Sequence, residues 1–384
     1  MTDFAAIRSQ FPIFDQEIHG HPLVYLDSAA TSQKPQCVID AESDFYRTIN
    51  AGVHRGAHEL AARSTMAFED ARAKVAKLVG ADSAEGEEEI VVTKAEHHSV
   101  LLPFQELALR TGATLKWFDL DEEGRVRSDA ADEVITDRTK IVAVTHVGNT
   151  TGAITDIAPI IRRAHEVGAV FVLDACQSVP HLKVDFHALD VDFAAWSAHK
   201  MYGPTGVGFL YGKREMLEAL PPANFGGSMV ELAWMDQEAQ YMEPPARFEA
   251  GTQPVAQVVA AGVAAEWLMN IGMENLEAHE RTITDELLKM GDIDGIRILG
   301  PRSNKERIGT VAFEVEGVHP HDVGQFIDAQ GIAIRVGHHC AQPVHRHFGV
   351  YASNRASSGI YNSVEDAQAL IEALGKVRPF FGVE

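Results

Sequence analysis

One lysine stands where a strand-like apolar segment meets a glycine-rich turn. The stretch "FAAWSAHKMYGPTGVGFLYG", residues 193–212, carries Lys200 beside Ser197 and His199. A lysine that forms a Schiff base needs a partly desolvated amine held rigidly against a cofactor, and its neighbours here supply a hydroxyl and an imidazole. The glycines beyond it let backbone approach a ligand closely. The alternative is an ordinary surface lysine at a strand end.

An aspartate ends another apolar segment, in "LDACQ". Asp174 could hold a protonated pyridine nitrogen, the partner that pyridoxal phosphate needs to act as an electron sink. Gln177 could then donate to the ring phenolate oxygen. The aspartate could instead cap the next helix. In "AEHHS", His97 and His98 follow a further predicted strand, where a flat ring could stack on a pyridine, although a lone histidine is more usually structural.

The stretch "IRVGHHCAQP" surrounds Cys340 with Arg335, His338 and His339. A polar, electropositive turn of this kind lowers a thiol pKa and leaves the sulfur exposed, as a nucleophilic thiolate requires. The alternative is a small buried cysteine, the usual fate of the residue type. In "NRASSGIYN", the forked guanidinium of Arg355 suits a bidentate grip on an amino-acid carboxylate.

The elements that must position these residues alternate between strand and helix. Continuous apolar strands separated by helices predict a mainly parallel sheet covered on both faces. Ligands bind beyond the carboxyl ends of such strands, where His146, Asp174 and His199 fall. The predicted strands are 140–147, 169–175, 192–198 and 206–212, and the helix between the first two is 156–168.

A smaller α/β domain is predicted after the parallel sheet. One long helical stretch, 260–291, leads to strands and helices that continue to the last residues. We therefore predict a large domain over 25–265 and a small domain formed by 1–24 with 266–384. The acidic run 82–90 predicts a solvated loop.

The bulk composition excludes several classes of partner. Acidic residues outnumber basic ones by 55 to 33, so the net charge of -22 leaves no basic surplus for nucleic acid or an anionic membrane. No apolar run approaches the roughly 18 residues of a membrane span. The first residues do not read as a secretion signal. Cys37, Cys176 and Cys340 make no disulfide framework, which favours a reducing cytoplasm.

These motifs together resemble one enzyme family. The chain is similar to class V aminotransferase-fold enzymes, specifically to group II, SUF-type cysteine desulfurases, which implies the fold type I of pyridoxal phosphate enzymes. The resemblance covers residues 25–362. The matching stretches are "YLDSAATSQKP", "VHRGAHELAARST", "EHHS", "THVGNTTG", "DACQ", "SAHKMYGPTGVGFLYG", "FGGSM", "RFEAGTQP", "RVGHHCAQP" and "RASSGIYN".

The resemblance implies a role for each matching residue around pyridoxal 5'-phosphate. Lys200 would hold the cofactor covalently and move protons, and His97 would stack on the ring and act as acid or base. No metal ion is implied. The other cofactor contacts implied are Asp174 to the pyridine nitrogen, Gln177 to the phenolate oxygen, Ser197 and His199 to the phosphate, and Thr252 to a phosphate across a homodimer interface.

The resemblance also implies the reaction. Cys340 would attack the sulfur of L-cysteine and carry a persulfide for iron–sulfur cluster assembly, releasing L-alanine. The implied substrate-binding residues are Asn149, Arg355, Arg335 and Ala30. There are two alternatives. The protein could be a selenocysteine lyase or cysteine-sulfinate desulfinase, or it could be a catalytically decayed homologue that only binds partners.

A sulfur acceptor is a further implied partner. The zinc-dependent SufU type is favoured over the SufE type, because "GVHPHDVGQF" offers His319 and His321 ahead of the cysteine loop. His321 could replace an acceptor cysteine on zinc, since imidazole is a competent zinc ligand. It could instead cap a helix beginning at Asp322. The loop 53–58 is expected to complete the neighbouring subunit's site.

The chain departs from the family pattern at one place. Family members carry a strand and a Gly/Thr-rich turn opening a helix, whose N-terminus binds the cofactor phosphate. Here "KLVGADSAEG" runs directly into "EEEIVVTKAEHHS", so about one β–α unit is missing near 82–90. Either the protein lacks this unit, or the native protein has a segment that this chain omits.

Overall fold

A computed structural model of the 384-residue chain describes residues 6, 8–18, 21–22, 35–49, 58–60, 62–64, 66–67 and 88–383. Two compact units divide the chain, residues 1–84 and residues 85–384. In the first unit, strands β1 and β2 pair antiparallel. Its described elements are a 3-10 turn Pro12–Asp15, β1 Glu17–Ile18, β2 His21–Pro22 and helix α1 Gln36–Thr48.

The second unit contains a six-stranded sheet in the order β4-β3-β5-β6-β7-β8. Strands β3 to β7 run parallel, and β8 closes one side antiparallel to β7. The chain adds β4 on one side of β3 and then crosses to β5 on the other, which makes a topological switch point at β3. The strands are β3 Glu89–Thr93, β4 Thr114–Phe118, β5 Thr139–Thr145, β6 Val170–Asp174, β7 Phe193–Ser197 and β8 Gly208–Gly212.

Burial explains why these segments form central strands. Val91, Val142, Phe171 and Leu173 are completely buried, because helices cover the parallel sheet. The first helices of this unit are α2 His98–Thr111, α3 Ala131–Val134 and α4 Ala158–Glu166. The predicted α/β class with a mainly parallel sheet is confirmed, and each of the four predicted strands overlaps an observed one.

The predicted solvated loop over 82–90 is wrong at its end, since β3 begins at Glu89. This carboxylate is 1% exposed, accepts a hydrogen bond from Thr136 Oγ1 at 2.6 Å and pairs with Arg138 at 2.6 Å. An acidic residue can therefore start a buried strand because its partners neutralise it. Residues 82–87 lie outside the described part of the chain.

A second, antiparallel sheet follows, in the order β11-β12-β14-β13. Its core is apolar and includes Ile283, Val311, Phe313, Val323 and Leu370. Helices α7, α8 and α10 contribute to this core. The elements are α7 Met273–Leu288, β11 Ile296–Leu299, β12 Thr310–Val315, α8 Pro320–Asp328, β13 Arg335–Gly337, α9 Gln342–His347, β14 Ser353–Ser357, α10 Val364–Leu374 and α11 Val377–Phe381.

The single long helical stretch predicted over 260–291 is wrong. Helix α6, Val255–Ile271, ends at Gly272, whose φ of 87° lies in the left-handed region, and α7 begins at the next residue. Glycine tolerates this conformation, so the chain turns by 78°. Among the described helices none is by itself long and apolar enough to cross a membrane; only this bent pair, extended to Asp292, meets that test of length and composition.

Short elements complete the second unit, some between strands of the six-stranded sheet and the others between the two sheets. They are the 3-10 turns Ser128–Ala130, Ala198–Lys200, Ala246–Phe248 and Lys289–Asp292, helix α5 Arg214–Ala219, and strands β9 Val230–Leu232 and β10 Gln240–Tyr241. The division into domains 25–265 and 1–24 with 266–384 remains a prediction.

Candidate active site

The carboxyl ends of β3, β6 and β7 open onto one cavity of about 550 Å³. Five of the predicted cofactor residues line it together, which brings side chains far apart in sequence around one space. The cavity is lined by His97, Ser99, Val100, Phe104, Val172, Leu173, Asp174, Cys176, Ala195, Ser197, His199 and Lys200.

Lys200 ends a 3-10 turn that follows β7 directly. The side chain is half-buried. The glycines beyond it serve the protein backbone: a Cβ on Gly203 would lie 2.9 Å from the carbonyl oxygen of Ala198, and Gly206 has a φ of 83°. These glycines therefore let the chain fold back from Lys200 into β8.

His97 is the N-cap residue of α2, and its Nδ1 accepts a hydrogen bond from the backbone N–H of Ser99 at 3.1 Å. Because Nδ1 accepts, a neutral ring carries its proton on Nε2. Burial and the charge of Lys200 lower the pKa of His97, while the charge of Asp174 opposes them. The ring is therefore neutral near pH 7 and is held at a fixed angle in the cavity wall.

Asp174 is the last residue of β6, and its Oδ1 accepts from the backbone N–H of Cys176 at 2.9 Å. Cys176, which sequence reasoning left without a role, also lines the cavity, and its Sγ lies 3.8 Å from Ser197 Oγ. Burial and the Asp174 charge raise the pKa of its thiol to about 11. Gln177 follows in the chain and is half-buried, but it is not among the residues that line the cavity.

Cys340 lies in a tight turn between β13 and α9, with its side chain exposed. His339 and Cys340 have φ of 51° and 56°, in the left-handed region that non-glycine residues rarely adopt. The backbone N–H of His98 donates to the Cys340 carbonyl at 2.7 Å, and the Gln342 N–H donates to His98 Nε2 at 3.2 Å. The start of α2 therefore binds the cysteine loop on the side next to His97.

Asn149 and Arg355 adjoin the same loop. Asn149 Nδ2 donates to the His339 carbonyl at 2.6 Å, and Arg355 Nη1 donates to the Asn149 carbonyl at 2.9 Å. Arg355 Nε and Asn149 Oδ1 are buried and have no hydrogen-bond partner within the described residues. Burial and then Arg335, its neighbour across β13 and β14, lower the pKa of the Arg355 guanidinium, whereas Cys340 raises it.

The remaining predicted residues lie away from this group or outside the described part of the chain. Thr252 is exposed in the loop before α6. His321 is exposed in the first turn of α8, whose N-cap is His319 with Nδ1 accepting from the His321 N–H at 3.2 Å. The alternative in which His321 caps a helix beginning at Asp322 is therefore wrong. Ala30 and residues 53–57 are outside the described residues.

Glu96 is a site residue that sequence reasoning missed. It is completely buried, directly before His97, and its Oε1 accepts from Thr93 Oγ1 at 2.7 Å and from the Thr145 N–H at 2.9 Å. It thereby ties the ends of β3 and β5 together beneath His97. The signal was present in "AEHHS", as a carboxylate between a buried strand and a helix start.

The residues present fit the pyridoxal part of the predicted cofactor. Lys200, Asp174 and the neutral His97 line one cavity, which is wide enough for a small aromatic ring. One carboxylate oxygen of Asp174 accepts a backbone hydrogen bond, which leaves the other oxygen for the pyridine nitrogen. Ser197 and His199 line the same cavity, and their hydroxyl and imidazole would be available to the phosphate. This fold and cavity define a pyridoxal phosphate enzyme of fold type I.

The chain belongs to the class-V aminotransferase family. The family model "Aminotransferase class-V" matches residues 24–86 and 82–370. This membership confirms pyridoxal 5'-phosphate as the cofactor and confirms the family resemblance given by the motifs. The two matched segments meet at the place where the sequence lacks the expected β–α unit.

Similar proteins are cysteine desulfurases. A "Probable cysteine desulfurase" of Streptomyces coelicolor is 45% identical, and the alignment covers 100% of this chain and 99% of that protein. A "Cysteine desulfurase" of Haloferax volcanii is 38% identical, and the alignment covers 99% of this chain and 98% of that protein. An apo cysteine desulfurase structure from Thermococcus onnurineus has a TM-score of 0.73 at 33% identity, and one from Escherichia coli in an S-sulfonic acid form 0.72 at 34%; each covers 99% of both chains.

The alignment lengths show that relatives have residues that this chain lacks. The Streptomyces coelicolor alignment spans 413 positions and all 384 residues of this chain, so at least 29 positions stand opposite gaps. A deficit of this size is about that of one β–α unit.

Proposed function

We propose that this chain is a cysteine desulfurase, which converts L-cysteine to L-alanine and takes the sulfur as a persulfide on Cys340. One observation carries the proposal: the Cys340 loop is hydrogen-bonded both to His98, at the start of α2, and to Asn149. The exposed thiol, the carboxylate-binding candidates and the cofactor cavity therefore adjoin one another. The names of the relatives support L-cysteine as the substrate.

Arg355 and Asn149 are proposed to bind and orient the amino acid. The Nε hydrogen of Arg355 has no partner among the described residues and lies in a mostly buried setting, where a carboxylate would gain most from it. Arg335, exposed on the neighbouring strand, adds positive charge on the same side. Ala30 is retained as a proposed substrate contact on the resemblance alone.

Pyridoxal phosphate, when bound, supplies an electron sink for the carbon atoms of the amino acid. Lys200 is proposed to hold it through its amine and then to move protons at the substrate carbon, since it is the one lysine among the described residues that line this cavity. His97, neutral with its proton on Nε2, is proposed to stack on the cofactor ring and to act first as an acid that donates this proton. Asp174 is proposed to hold the pyridine nitrogen with the carboxylate oxygen that Cys176 leaves free.

Sulfur transfer is proposed to begin at the Cys340 thiolate. Its Sγ attacks the substrate sulfur, the Sγ–S bond forms, and the carbon–sulfur bond breaks with its electron pair remaining on carbon. That carbon takes one proton, so the organic product is alanine and the second sulfur stays on Cys340. No external oxidant or reductant is needed.

The first test is on Lys200. Lys200→Ala should lose both the visible absorption of lysine-bound cofactor and alanine formation, whereas Lys94→Ala, a control at an outlying ion pair with Asp119, should keep both. Alanine formation at the normal rate by Lys200→Ala would refute the proposal.

A decayed, partner-binding homologue is the second candidate, because the phosphate-binding β–α unit is missing. Such a protein would not develop the absorption of bound cofactor even when pyridoxal phosphate is added in excess. The variant Cys340→Ala distinguishes a cysteine desulfurase from a selenocysteine lyase or a cysteine-sulfinate desulfinase. It should abolish sulfur release from cysteine and should reduce the release of selenium or sulfite less.

The persulfide is proposed to serve iron–sulfur cluster assembly through a zinc-dependent acceptor of the SufU type. The supporting observation is that His319 caps α8, so the exposed His321 imidazole is not needed as the cap. Alanine formation should rise with the acceptor for wild type and for His319→Asn, which keeps a capping side chain, and less for His321→Ala. Equal stimulation of all three would exclude the zinc-ligand exchange, and stimulation of none would favour a SufE-type acceptor.

A homodimer is proposed as the active form. Thr252 is exposed, as a residue that reaches a partner subunit's phosphate must be. Sedimentation of the cofactor-loaded protein should give a dimer, and full activity of a monomer would contradict this assignment.

A further inference from the structure

A continuous series of side-chain hydrogen bonds holds the cysteine loop on both sides of Cys340. His345 Nδ1, on α9, lies 3.0 Å from the carbonyl oxygen of Ala341, the residue after the cysteine. His345 Nε2 lies 2.9 Å from Ser353 Oγ. The same hydroxyl lies 3.0 Å from Nε2 of His339, the residue before the cysteine. We call His339, Ser353 and His345 the imidazole clamp.

The direction of each hydrogen bond in the clamp follows from its carbonyl end. A carbonyl only accepts, so His345 Nδ1 donates to Ala341. Burial lowers the pKa of His345, so its ring is neutral and Nε2 accepts the hydroxyl hydrogen of Ser353. That hydroxyl has one hydrogen, and Nε2 of His339 must therefore donate to it. The two rings are thus held in opposite tautomers.

The surroundings of the clamp favour neutral rings. His339 is 6% exposed, His345 2% and Ser353 0%. Burial, and then the charge of Arg355, lower the pKa of His339 to about 3. The other titratable groups facing His339 are His345, Arg335 and His338, and His338 also faces His345. A broken bond here would leave a polar atom without water to replace its partner.

The backbone that the clamp holds is in an unfavourable conformation. His339 and Cys340 are both left-handed, and such residues persist only where their surroundings fix them. The clamp supplies a bond on each side of the nucleophile. Ser353 lies on β14 two residues before Arg355, so the clamp also links the cysteine loop to the strand of the proposed carboxylate-binding residue.

We propose that His339, Ser353 and His345 are positioning residues for sulfur transfer, which hold the backbone around Cys340 so that its thiol stays presented to the substrate. This inference rests on the proposed role of Cys340 as the nucleophile. The three side chains act through the loop, and none of them needs to touch the substrate.

The variants Ser353→Ala and Ser353→Thr test the shared hydroxyl. Ser353→Ala should lower alanine formation on the order of tenfold, the factor that corresponds to about one buried hydrogen bond. In cofactor-free protein it should speed hydrogen exchange of amides 338–342 by a similar factor. Ser353→Thr keeps the hydroxyl and should recover both. Wild-type behaviour of Ser353→Ala, or equal loss in both variants, would overturn the proposal.

A control and a variant-free measurement complete the test. His347, on the same helix, also reaches a backbone carbonyl, that of Asp121, at 2.8 Å, and His347→Gln should leave turnover and exchange unchanged. In wild-type protein with isotope-labelled histidine, nitrogen NMR near pH 7 should find His339 protonated on Nε2 alone and His345 on Nδ1 alone. Either ring charged, or the reverse tautomers, would refute the clamp.

The variant Cys340→Ala separates this proposal from the function on which it rests. Normal alanine formation by Cys340→Ala would refute the proposed function whatever the clamp variants do. An inactive Cys340→Ala together with a fully active Ser353→Ala would refute the clamp alone.

Discussion

Replacing Glu96 by glutamine should stabilise the protein at neutral pH and leave its stability unchanged in acid. Burial, with a smaller contribution from the charge of Asp174, raises the pKa of Glu96 from 4.5 to about 8. Oε1 accepts from Thr93 and Thr145, whereas Oε2 has no partner among the described residues. The folded protein therefore holds a proton on Glu96 over a range in which the unfolded chain has lost it.

The sign of the pH dependence follows from this difference in bound protons. The Glu96 contribution to the free energy of unfolding is largest below about pH 4.5, falls as the pH rises towards 8, and then levels off. Each pH unit within that window costs about 1.4 kcal/mol. Wild type should therefore lose about 3 kcal/mol by pH 7 and about 5 kcal/mol above pH 8 from this group.

The assay is urea unfolding of cofactor-free protein at intervals from about pH 5 to pH 8. Glu96→Gln keeps an acceptor oxygen for both hydrogen bonds and cannot titrate, so its stability should fall less over this range than that of wild type. Glu122→Gln, at an exposed position, should follow wild type. Parallel curves for wild type and Glu96→Gln would refute a raised pKa for this carboxyl.

Three further predictions concern packing and thiol chemistry. Both Gly152 and Gly168 have positive φ, but only at Gly152 would an added Cβ collide with backbone carbonyl oxygens, those of the segment leading into β12. In chemical unfolding, Gly168→Ala should therefore cost roughly 1 kcal/mol, and Gly152→Ala well over that. Equal losses would contradict this packing. Arg307→Met should cost about 3 kcal/mol or more in the same assay, since the buried guanidinium donates to four backbone carbonyls that would lose their donors; a loss below about 1 kcal/mol would contradict it. Iodoacetamide near pH 8 should label Cys340 much faster than Cys176, whose thiol has a pKa of about 11, and equal rates by peptide mass spectrometry would contradict that shift.

Strands β5, β6 and β7 were predictable because most of their residues are buried or half-buried. In β6 and β7 four of the five residues are apolar, and β5 contains the apolar run 141–144, so the run of hydrophobic residues marks each strand and its end marks the ligand edge. The positions of His97, Asp174 and Lys200 around one cavity follow from that rule, since parallel strands end at the same edge of a sheet.

Strand β14 could not be predicted from the same pattern. Its sequence, "SNRAS", is polar, yet Ser353 and Asn354 are completely buried. Their environment is set by residues far away in the chain, such as His339 and His345, so hydrophobic periodicity contains no signal for it. The break at Gly272 was missed because the apolar, helix-favouring residues on both sides continue the pattern through the turn.

A single-turnover experiment tests the central claim most directly. The protein, saturated with pyridoxal phosphate and free of any acceptor, is mixed with one equivalent of L-cysteine, and alanine and the mass of the peptide containing Cys340 are both measured. The account predicts one alanine for each sulfur atom added to that peptide, and neither product from Cys340→Ala. Alanine formed by Cys340→Ala at the wild-type rate, or the added sulfur found on Cys37 or Cys176 instead, would contradict it.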